Sequence, residues 1–181
     1  MWPVFPQLLQ ALSWVVDAIG FGYTPAVLVI WCIIRFRSVS ADRMKRSLVT
    51  VNTLLLAVGI FSCFDIPIYC ILVLFTDDPY TLIRSSSDWF TYYLLVYWIS
   101  RFVVTGLLPL LFADPEKRAS IKWSLLIVVI LFIWENAMDF LRHGYLCYCD
   151  YRPLKTYALL LMTFAVIYAV THGVLRRKTR R

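Results

Sequence analysis

The chain has 181 residues, 61% hydrophobic, 17% aromatic and only 16% charged, with a formal net charge of +7. Soluble domains run at roughly 45–50% apolar and about 25% charged residues, which excludes an ordinary water-soluble domain. Six glycines and eight prolines without a repeated block also exclude linker, disordered and solenoid chains.

A bilayer core of about 30 Å takes roughly 20 helical residues. Apolar runs long enough to cross it occupy 8–34, 48–75, 90–112, 123–145 and 156–175. The pattern predicts an all-α polytopic bundle of five spans, forming a single transmembrane domain over 1–181. The first run has no basic residue before Arg35 and contains Asp17, unlike a cleaved signal peptide with its basic leader and shorter apolar core. It is expected to stay as a span. Pro25 and Pro67 each remove a helix hydrogen bond from the two long first runs and are expected to kink them.

The connections alternate in charge. Arg35, Arg37, Arg43, Lys45 and Arg46 follow the first run, and Lys117, Arg118 and Lys122 follow the third. Arg176, Arg177, Lys178, Arg180 and Arg181 follow the fifth. These thirteen of the 18 basic residues mark one side, and the positive-inside rule makes it the cytoplasm. The N-terminus is then outside and the C-terminus cytoplasmic, in the plasma (inner) membrane. Anionic lipid accounts for the basic loops, so no nucleic-acid partner is expected.

Charged groups inside the runs carry the functional signal. Each costs at least ~2.5–3.5 kcal/mol at the centre of a span, so each calls for a partner or a wet cavity. In "IWENAMDFLRHG", Glu135, Asp139, Arg142 and His143 recur at helical spacing on one face. On the third run Tyr93, Tyr97, Arg101 and Thr105 follow at steps of four; on the first, Gln10, Ser13, Asp17, Gly20 and Thr24 make a similar stripe. Asp65 stands near Pro67 on the second. Arg101 and Glu135 lie near the middle of adjacent runs joined by a short loop, so an Arg101–Glu135 ion pair is expected. Four carboxylates (Asp17, Asp65, Glu135, Asp139) face one central cation, Arg101. That imbalance points to protonated acids, or to a cation or amine completing the site. The plainer reading is polar glue between helices or towards a partner subunit.

Cys147 and Cys149, in an outer loop, could close a strained disulfide, bridge to another chain, or join His143 and Asp150 around a soft metal; one loop alone rarely makes a closed metal site, which favours a disulfide over a metal. His172, at the end of the fifth run, suits a helix C-terminus. No Walker loop, nucleophile elbow, zinc-protease helix or dinucleotide fingerprint is present, so no cofactor and no catalytic set are assigned.

The sequence therefore predicts a buried acidic and arginine-bearing cavity that binds or transports a proton, a cation or a small cationic solute. Its candidate residues are Asp17, Asp65, Tyr97, Arg101, Glu135, Asp139, Arg142 and His143. Two other classes stay open. One is a non-catalytic accessory or assembly subunit, working as a homodimer or within a larger membrane complex. The other, weaker, is an intramembrane enzyme acting on a lipid-soluble substrate.

Overall fold

A computed structural model describes residues 4–36, 41–75, 96–146 and 154–178, with some side chains inside these stretches left out. Every described element is helical. Helix α1 spans Val4–Phe36, α2 Ala41–Phe75, α3 Val96–Ala113, α4 Ile121–Leu146 and α5 Leu154–Lys178. Each contains a stretch long and apolar enough to cross a bilayer. The five predicted runs thus correspond to five helices, with residues 90–95 of the third outside the described set. Pro25 and Pro67 lie inside helices that continue through them.

The packing leaves large apolar side chains on the outside of the bundle. Met162, Val166, Val170 and Val174 form an exposed stripe on α5, and Phe132 and Ile133 are equally exposed on α4. Apolar surface of this extent would be a liability in water. The described residues that are buried include polar ones: Thr50, Asn52, Ser62 and Ser124. Helix α2 is central, with half of its span buried against 11% for that of α5. Its Met44, Leu48, Val51 and Leu55 meet Tyr23, Val27 and Ile30 of α1, Phe112 of α3, and Ile127, Val128 and Leu131 of α4. A second cluster joins Ile19, Leu54, Val58 and Phe164, tying α5 to the α1–α2 pair.

Helix α3 departs from α geometry where its sequence demands it. After Arg101 come a π turn, Phe102–Leu107, and a 3-10 segment, Leu108–Ala113. Pro109 has no N–H to donate, and the Leu108 N–H reaches back five residues to the Val103 carbonyl. Thr105 Oγ1 donates to the Arg101 carbonyl at 2.8 Å, a local bond that loosens the same turn. The helix also comes close to α2. A Cβ on Gly59 would lie 2.7 Å from Pro109 Cβ and 2.9 Å from the Gly106 carbonyl oxygen, so only glycine permits that approach.

A single helical turn, Pro115–Arg118, links α3 to α4. Asp114 caps it, its Oδ1 accepting from the Glu116 N–H at 2.9 Å, with Pro115 in the first helical position. Arg118 folds back on α3, donating from Nε to the Phe112 carbonyl (2.7 Å) and from Nη2 to that of Ala113 (3.1 Å). These bonds satisfy carbonyls left over at a helix end.

Candidate functional site: a polar recess lined by all five helices

Members of the predicted polar faces on α1, α3 and α4 meet around one cavity. A cavity of about 470 Å³ is lined by Asp17 and Gly20 of α1, Ser62 of α2, Tyr97, Arg101 and Thr105 of α3, Trp134 and Glu135 of α4, and Tyr157 of α5. Leu55, Val58, Leu131 and Leu160 supply apolar wall. Its size suits a small ligand. Of the candidates named from sequence, the structure brings together Asp17, Tyr97, Arg101 and Glu135. The side chains of Asp65, Asp139, Arg142 and His143, and residues Cys147 and Cys149, lie outside the described set.

The geometry of α3 explains why its polar residues share this wall. In an α-helix a step of four overshoots a full turn by about 40°, so residues 97, 101, 105 and 109 would wind away from one another. The wider π turn takes that drift back. Tyr97, Arg101, Thr105 and Pro109 consequently all reach the cavity despite the distance along the chain.

Two expectations are corrected. The charged side chains are not buried: Asp17 and Arg101 are half-buried, and Glu135 is exposed. The site is a recess whose charged groups keep part of their surface accessible. The Arg101–Glu135 ion pair is also not formed. Among the described residues the ion pair with both partners placed is Lys117–Asp114, at 3.7 Å. The Arg101 guanidinium lies over the rings of Trp98 (5.5 Å) and Tyr97 (6.0 Å). Aromatic faces on its own helix attract the cation without requiring a second helix to hold a carboxylate in register.

Aromatic and hydroxyl groups join α3 to α4 instead. Trp134 Nε1 donates to Ser100 Oγ at 3.0 Å, and the Tyr97 and Trp134 rings stack at 6.1 Å. Ser100 Oγ in turn donates to the Tyr97 carbonyl at 3.0 Å.

Sequence reading missed a second polar cluster altogether. Tyr23 Oη donates to Asn52 Oδ1 (3.0 Å), while Asn52 Nδ2 donates to the Arg118 carbonyl (2.7 Å) and to Ser124 Oγ (2.8 Å). Ser124 Oγ passes its proton to the Ser120 carbonyl at 3.1 Å. Both amide protons and the amide oxygen are used, so the node is satisfied although Tyr23, Asn52 and Ser124 are fully buried. The available signal was a lone amide within "SLVTVNTLLLAVG". His172, expected to serve only its own helix end, reaches α2: its Nδ1 is 3.1 Å from Thr50 Oγ1. The same hydroxyl lies 2.9 Å from the Arg46 carbonyl of its own helix. The ring also stacks on Tyr168.

Five helices long and apolar enough to cross a membrane, with large apolar side chains exposed on their outer faces, support a multi-pass membrane protein. Comparison of the chain with protein-family models, with curated proteins and with solved structures finds no match.

Proposed function

We propose that the central recess binds, and in a transport cycle passes, a proton, a cation or a small cationic solute. The observation that carries this reading is the meeting of Asp17, Tyr97, Arg101 and Glu135, from three helices, around one cavity of about 470 Å³. Charged groups within spans are costly, and they persist where they serve an ion or solute path. The carboxylates of Asp17 and Glu135 in its lining attract a cation. Tyr97 and Trp98 hold the Arg101 charge with weak, reversible contacts, leaving it able to change partners as a carrier's central groups must. The non-α stretch beginning at Phe102 sits beside it and contributes Thr105 and Pro109 to the cavity wall. In this reading the N-terminus is outside and the membrane is the plasma (inner) membrane.

The test uses purified protein in liposomes, wild type beside Asp17→Asn, Arg101→Ala and Glu135→Gln, with proton and cation flux followed under an imposed gradient. Wild-type flux that falls at least tenfold in Glu135→Gln, at unchanged melting temperature, supports the proposal. A wild type that carries no flux and shows no saturable protection by amines or alkali cations refutes it.

A further inference from the structure

We propose a second site, independent of the recess, in which the basic end of the bundle holds the phosphate of an anionic phospholipid between α2 and α5. A cavity of about 460 Å³ opens there, lined by Asp42, Lys45, Arg46, Thr50, His172 and Arg176, with Val49 and Leu175 as apolar wall. The start of α2, the start of α4 and the end of α5 share this end, as the Thr50–His172 and Asn52–Ser124 contacts require.

The chemistry is graded along the helices. Asp42 stands nearest the start of α2, with Lys45 and Arg46 within the next turn and Arg176 near the end of α5; all four are exposed. Val49 and Thr50 come one turn deeper on α2 and His172 one turn deeper on α5, with Leu175 beside Arg176. Cations at the rim and apolar groups below match a lipid that keeps its phosphate near water and its glycerol and acyl carbons in the bilayer. A free phosphate would find the same cations but would leave the apolar wall unused. Basic pockets between membrane helices favour anionic headgroups for this reason. The Thr50–His172 hydrogen bond joins the two walls and fixes the width of the cleft. Asp42 is the single carboxylate in the lining. It selects against a headgroup that offers only negative charge and favours one that also carries a donor, such as the hydroxyls of phosphatidylglycerol.

Native mass spectrometry on the purified, delipidated full chain tests the site, with phosphatidylglycerol and phosphatidylcholine titrated separately and inorganic phosphate as competitor. The variant Lys45→Gln/Arg46→Gln/Arg176→Gln removes the rim. Arg43→Gln/Lys122→Gln removes two exposed charges outside the cavity. Folding of both is checked by melting in detergent. The expected result is preferential retention of phosphatidylglycerol, weakened roughly fivefold for each rim charge removed and about a hundredfold in the triple variant, with the outside pair unchanged. Equal losses in the two variants would reduce the effect to general surface charge and overturn the site. Retention of both lipids alike would overturn it too, and ready displacement by inorganic phosphate would reassign it to a free anion. Should the triple variant melt early, Lys45→Gln alone, at an exposed position, decides between the same outcomes.

Discussion

At the scale of single residues, Asn52 carries more of the structure than any charged group. It binds Tyr23, Arg118 and Ser124 at once, from a fully buried position. Asn52→Ala would leave a hydroxyl and a carbonyl without partners in a dry interior. With about 0.6–1.7 kcal/mol per interhelical bond in a membrane, the loss should be about 2–4 kcal/mol, read from unfolding in mixed detergent. Tyr23→Phe should cost less, about 1 kcal/mol, because Ser124 Oγ lies 3.2 Å from the same amide oxygen and can replace the phenol. The charged candidates were legible in the sequence because charge is conspicuous against an apolar run. Asn52 was not, since one uncharged amide hardly alters hydropathy and its three partners are remote in the chain.

At the scale of the element, helix α3 shows what hydropathy reads and what it misses. Its existence and length follow from composition, and Arg101 stands out within it. The π turn does not, although Gly106 and Pro109 in "TGLLPLLF" mark the place. Pro25 and Pro67 were equally visible and leave their helices continuous, so a proline alone does not identify the irregular span. What distinguishes α3 is close contact with a neighbour. Gly59→Ala, meeting Pro109 and the Gly106 carbonyl, should destabilise the bundle by about 1–3 kcal/mol. Gly173→Ala, where nothing lies within 4 Å, should be neutral or gain up to ~1 kcal/mol of helix propensity. A thermal shift of both variants, measured together, separates packing from propensity.

For the whole molecule, the prediction concerns sidedness. Thirteen of the 18 basic residues fall at or between the joined ends of α1 and α2, at or between those of α3 and α4, and at or beyond the end of α5. Reporter fusions after residue 40, after residue 120 and at the C-terminus should report the cytoplasm, and a fusion after residue 80 the opposite side. Placing three lysines in 76–89 should impair or mix the insertion, since short loops obey the basic-residue bias. The architecture was the most legible level, because bilayer thickness converts directly into a length of apolar chain. The convergence of polar stripes was partly legible from helical spacing. Their contacts were not, because spacing assigns a residue to a face without saying whether a carboxylate or an aromatic ring will meet a cation there.

The Asn52 node also has a history within each molecule's synthesis. Ser124 follows Asn52 by 72 residues, so at ~5–20 residues per second a nascent chain inserts α2 roughly 4–14 s before that partner has even been made. Through that interval the amide depends on the insertion machinery, on water or on a provisional neighbour. The node closes only once the start of α4 has been made, and a chain truncated before Ser124 should be a substrate for membrane quality control rather than a smaller stable bundle.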